Sequence, residues 1–88
     1  EYAFVTRDRI NNIKANPGTG TLALAWTAPS GAACTVAINP TSSDDSGDAT
    51  ATAKGRAQSY NATGLSAGAN IYRITCGTAR TTGTVTIL

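Results

Sequence analysis

The sequence predicts an all-β domain: a seven-stranded antiparallel Greek-key β-sandwich with an extra strand at its N-terminus. Three observations carry that expectation. Apolar and polar residues alternate in short runs, as on half-buried strands. Clusters of Gly, Pro, Asn, Asp and Ser interrupt the runs about every ten residues, the spacing of a two-sheet sandwich. Helical periodicity is nearly absent.

The elements follow in chain order. Residues 1–7, Glu1-Tyr2-Ala3-Phe4-Val5-Thr6-Arg7, are rich in aromatic and β-branched residues, with Tyr2, Phe4 and Thr6 alternating against Ala3 and Val5. This strand-like segment either ends a preceding domain or pairs with a sheet edge, its own or a neighbour's. Residues 1–9 are therefore read as an extension and 10–88 as the domain. Residues 10–15 form the first sandwich strand, ended by Asn16-Pro17-Gly18. Residues 21–26 alternate with Leu22, Leu24 and Trp26 on one face, and Ala28-Pro29-Ser30-Gly31 ends them. Residues 34–38 put Cys34, Val36 and Ile38 together; Asn39-Pro40 and the polar run at 42–48 break that strand. Residues 49–53 are weakly strand-like. Residues 58–63 form a strand around Tyr60 and Ala62, and 64–68 a turn. Residues 71–76 carry Tyr72, Ile74 and Cys76 on one face. A hairpin turn at 77–82 leads to a last strand at 83–88, which brings Val85 to the core.

Composition bounds the function. A chain of 88 residues is one domain, and it buries only ~60–65% of the surface it exposes when unfolded. A covalent staple helps so small a core, and Cys34 and Cys76 are the available pair. The chain contains no Met, so residue 1 reads as following a removed leader or as part of a longer protein. No apolar run approaches the ~20 residues that span a bilayer. The net charge of +2 is scattered, which excludes the dense basic stripe of a nucleic-acid face. Charged residues make up 14% of the chain, sparse for a soluble domain, and the many small hydroxyl residues fit a secreted or cell-surface protein.

At this point the residues resemble a family. Leu24-Ala25-Trp26-Thr27-Ala28-Pro29 resembles the second strand of a fibronectin type III domain, with its core Trp and following Pro. Gly64-Leu65-Ser66-Ala67-Gly68 followed by Tyr72-Arg73-Ile74-Thr75-Cys76 resembles the family's passage from Leu through a turn to Tyr in the sixth strand. The resemblance covers roughly residues 10–88. Leu65 to Tyr72 is one step longer than the family's usual spacing, so either the turn holds an extra residue or Ile71 takes the inward place. The cysteine pair lies outside the common pattern and is similar to bacterial extracellular versions. The resemblance implies a binding or spacer module without chemistry of its own. The family's Arg-Gly-Asp adhesion triplet is absent.

Within such a sandwich Cys34 and Cys76 stand on neighbouring strands of one sheet, which implies a cross-strand disulfide; two buried free thiols are the alternative. Trp26, Leu24, Val36, Leu65, Tyr72 and Ile74 are the expected core, with the Tyr72 hydroxyl tied to nearby backbone as in a tyrosine corner. Asp44, Asp45 and Asp48 surround Gly47, but no distal Glu completes a calcium loop, so a solvated loop is expected. Asn61-Ala62-Thr63 fits a glycosylation sequon. No catalytic site emerges. The chain has no His, which excludes Ser-His-Asp and Cys-His arrangements. No carboxylate pair stands in a cleft, and Gly18-Thr19-Gly20 joins two strands instead of opening a helix, so it is no phosphate loop. The expectation is a non-enzyme without metal or cofactor, a structural or adhesive module outside the cell with a protein, a glycan or copies of itself as partner. The alternative is a self-assembling subunit of a surface filament or pilus that adds residues 1–7, with Tyr2, Phe4 and Val5, to a neighbour's sheet.

Overall fold

The structure is a computed structural model, and it describes residues 9–41 and 49–88. The expected extra strand with Tyr2, Phe4 and Val5, and the loop with Asp44, Asp45 and Asp48, lie outside the described residues. These fold into seven strands without a helix: β1 (Asn11–Gly18), β2 (Thr21–Thr27), β3 (Thr35–Ile38), β4 (Ala49–Ala51), β5 (Ala57–Ala62), β6 (Gly68–Cys76) and β7 (Ala79–Ile87). They build two sheets, one ordered β1-β2-β5 and one ordered β4-β3-β6-β7. Every pairing is antiparallel.

Alternation explains why the sheets face each other. Along β2 the residues Leu22, Leu24 and Trp26 are buried, with Ala23 and Ala25 on the other face. From the second sheet come Val36, Ile74, Cys76 and Ile87, which join the β2 residues in one cluster. Ile10, Ile13, Ile38, Leu65, Tyr72 and Val85 pack around it, half buried. Trp26 is only 3% exposed, and truncating an aromatic at such a place costs about 3–5 kcal/mol. Its indole Nε1 is buried without an acceptor among the described residues.

Three strands run longer than their sequence patterns. β1 continues through Pro17, which pairs with Leu22, to Gly18; an end strand tolerates a Pro because one side of it needs no ladder hydrogen bond. β6 begins at Gly68, within the expected turn, and β7 begins at Ala79, so the hairpin turn shrinks to Gly77-Thr78. Gly77 has φ 64°, a left-handed conformation that glycine adopts without a steric penalty.

Gly83 is the misleading residue. It looks like the start of a strand but stands in the middle of one, paired with Tyr72. A Cβ at position 83 would collide with the Tyr72 hydroxyl and Cζ, so the tyrosine ring fills the space of the missing side chain. The expected tyrosine corner does not form: no hydrogen bond ties the Tyr72 hydroxyl to described backbone, because the ring leans across β7 instead. The extra step between Leu65 and Tyr72 leaves Ile71 facing outward, 44% exposed, while Tyr72 packs against the core.

Candidate functional site

The side chains available for chemistry are few. Cys34 and Cys76 are bonded to each other, and no cysteine is free. Among the described residues no three of His, Cys, Asp and Glu gather as metal ligands. What the fold does assemble is two polar clasps, one at each end of the β3–β6 ladder, and two contrasting surfaces.

The first clasp stands where β3 starts and β6 ends. Thr35 pairs with Thr75, so Cys34 and Cys76 are the next opposed positions, with Cα atoms 4.4 Å apart. That is the spacing of a non-hydrogen-bonded antiparallel pair. Both cysteines are buried. Beside them lies Gln58, which β5 turns inward together with Tyr60 and Ala62. Its Nε2 donates to the carbonyls of Ala32, at 2.8 Å, and Gly55, at 2.7 Å. Its Oε1 accepts from the Cys34 amide at 3.1 Å and from the Thr52 hydroxyl. The Thr52 amide donates to the Cys34 carbonyl at 2.8 Å. One buried amide thus fastens the loop before β3 to the loop before β5.

The second clasp closes the opposite end. Asn70, 3% exposed, donates through Nδ2 to the carbonyls of Ser66, at 2.9 Å, and Gly68, at 3.0 Å. Its Oδ1 accepts from Asn39 Nδ2 at 2.8 Å. Asn39 Oδ1 accepts from the Ile71 amide at 2.8 Å, and the Asn39 amide donates to the Ile71 carbonyl at 2.7 Å. Asn39 has φ 49°, a conformation asparagine tolerates better than most residues.

The outer face of the three-stranded sheet is flat and small-featured. Cross-strand register sets Lys14, Ala25 and Ser59 in one row and Asn16, Ala23 and Asn61 in the next. Shallow depressions follow these rows, one bordered by Lys14, Ala25 and Ser59 and the other by Asn16, Ala23 and Asn61. Asn61 and Thr63 of the sequon are both exposed. The outer face of the other sheet carries Thr82, Thr84 and Thr86, all exposed, on its end strand β7, and the buried Arg73 and Ala37, which pair across β6 and β3.

The expected core residues therefore fall into two sets. Trp26, Leu24, Val36 and Ile74 are buried between the sheets, and Leu65 and Tyr72 sit half buried at the rim. Sequence reasoning missed Gln58, Asn70 and Asn39. A signal existed for two of them: Gln58 keeps step with Tyr60 and Ala62, and Asn70 keeps step with Tyr72, Ile74 and Cys76. A polar residue in phase with an apolar face is either a break in the strand or a buried hydrogen-bonding hub. No family model matches this chain, and neither does a curated protein or a solved structure.

Proposed function

We propose that the chain is a non-catalytic extracellular module of structural or adhesive function, built on a fibronectin type III-like Greek-key sandwich. The observation that carries this reading is where the polar and sulfur chemistry goes. Both cysteines and the two buried amides hold loops and strands to one another. Gln58 also borders a depression on the outer face of the three-stranded sheet, and that depression is open to solvent. The strand order supports the Greek-key part: non-consecutive strands β2 and β5 are neighbours, as are β3 and β6, so the chain crosses between sheets several times. The core Trp on β2 and the Leu-turn-Tyr passage into β6 support the family part.

The disulfide is consistent with an oxidising environment. No helix among the described residues is long and apolar enough to cross a membrane. Partner binding falls to the outer faces, where Asn16, Asn61, Lys14 and Ser59 offer hydrogen bonds to a protein or glycan. Antibody against the chain should label intact source cells or detect the protein in their medium. Labelling that appears only after lysis would contradict the extracellular reading.

A further inference from the structure

The sequon Asn61-Ala62-Thr63 lies where β5 ends, and the fold leaves it open. Asn61 and Thr63 stand two residues apart, which puts their side chains on the same face of the strand, and both are exposed. Ala62 between them is buried in the core and holds the tripeptide in place. The Asn61 amide has no hydrogen-bond partner among the described residues, whereas Asn11, Asn12, Asn39 and Asn70 each use theirs. Its cross-strand row continues through Ala23 to Asn16, small side chains that leave the face above it clear.

The edge that carries the sequon is also the least guarded of the four sheet edges. β4 has three residues, too few to template a partner. β1 slips register between Asn11 and Lys14 and contains Lys14 and Pro17; bulges, lysines and prolines are the usual guards of an edge. β7 has β1 against both its ends, with Arg9 and Ile10 beside Ala79 and Arg80 and with Gly18 and Gly20 hydrogen-bonded to Leu88. β5 has none of these. It pairs with β2 without a slip and contains neither charge nor Pro; Arg56 precedes it, but the next charged residue after it is Arg73. The Ala28 amide donates to the Arg56 carbonyl at 2.6 Å, which fixes the alternation of the ladder. The backbone groups of Ala57, Ser59 and Asn61 therefore point away from β2. Among the described residues no strand pairs with that side.

We propose that Asn61 carries an N-linked glycan, and that this glycan shields the edge of β5 from strand addition. The inference rests on the extracellular part of the module reading and makes the glycan a covalent part of the chain. In the transfer Asn61 Nδ2 displaces a lipid pyrophosphate from C1 of its saccharide. The C1–Nδ2 bond forms, the C1–O bond breaks, the lipid pyrophosphate leaves with the electron pair, and the amide loses one proton. The fold gives up no hydrogen bond, because the Asn61 amide makes none with a described residue. A strand added to β5 would set a side chain ~5 Å from Asn61 on the same face, within the volume that a saccharide on Nδ2 sweeps. A bulky, solubilising group thus stands at the exit of the strand, where charge is missing.

Trypsin releases residues 57–73 as one peptide. From protein taken from its source that peptide should weigh more than its amino acids, and fragmentation should place the added mass on Asn61 and leave Asn70 bare. An unmodified peptide from protein that antibody labels on intact cells overturns the inference and leaves the extracellular reading standing. An unmodified peptide from protein that only lysis releases overturns both. Shielding is read by sedimentation. Asn61→Gln and Thr63→Ala, each made in the source, should lose the added mass, keep the native circular dichroism spectrum and self-associate where the glycosylated chain is monomeric. Adding Ser59→Lys, the charge that β5 lacks, should return them to monomers. Unglycosylated variants that stay monomeric, or an association that Ser59→Lys leaves intact, would overturn the shielding role.

Discussion

The two ends of the β3–β6 ladder perform the same task with different chemistry. At one end a covalent bond joins Cys34 to Cys76 with Gln58 packed against it. At the other, Asn39 and Asn70 hold the strands by hydrogen bonds alone. A hydrogen bond nets only ~1 kcal/mol because water competes for both partners. A disulfide acts chiefly on the unfolded chain, by restricting it. The covalent end therefore limits how far the chain can open, whereas the amide end limits how often it opens. Of the two, the amide end is the weaker, and it lies where β3 runs out toward β4.

The largest expected effect separates the ends outright. Replacing both Cys34 and Cys76 with Ala releases a loop of sequence separation 42 and should cost about 4 kcal/mol, read as a lower urea midpoint. A loss below about 1 kcal/mol would mean the staple is ornamental. Next comes Gln58→Leu, which leaves the Ala32 and Gly55 carbonyls without their donor. It should cost about 3 kcal/mol, and its cost should change when the cysteines are also removed, since Gln58 and Cys34 share a hydrogen bond.

Asn70→Leu at the other end should cost about 2 kcal/mol, and that cost should add to cysteine removal without coupling, because the sites share no partner. Coupling of equal size at both ends would erase the comparison. The smallest effect concerns the hairpin that links the ends. Gly83→Ala places a methyl against the Tyr72 ring and should cost about 1 kcal/mol by overpacking. A Tyr72→Leu background should relieve that cost if the ring is the obstacle.

The sequence revealed the face pattern better than the ends. Leu22, Leu24, Trp26, Val36 and Ile74 announce themselves by alternation, since burying one face of a strand demands it. Turn residues misled wherever tertiary contact overrode local preference. Gly83 reads as a boundary until Tyr72 is seen to cover it, and Pro17 reads as a stop until β1 proves to be an end strand. The clasps were partly legible. Gln58 and Asn70 stand in phase with apolar neighbours, but their partners are carbonyls of Ala32, Gly55, Ser66 and Gly68, which no side-chain pattern encodes. Asn39 gave no signal beyond the Pro that follows it.

Native-state hydrogen exchange tests the contrast between the ends most directly. In the oxidised protein the Cys34 amide, donated to Gln58 beside the disulfide, should exchange about tenfold or more slowly than the amides of Asn39 and Ile71 at the other end. Reduction should close that gap by raising exchange at Cys34. Asn39 and Ile71 amides that outlast Cys34 in the oxidised protein, or a gap that survives reduction, would contradict the account.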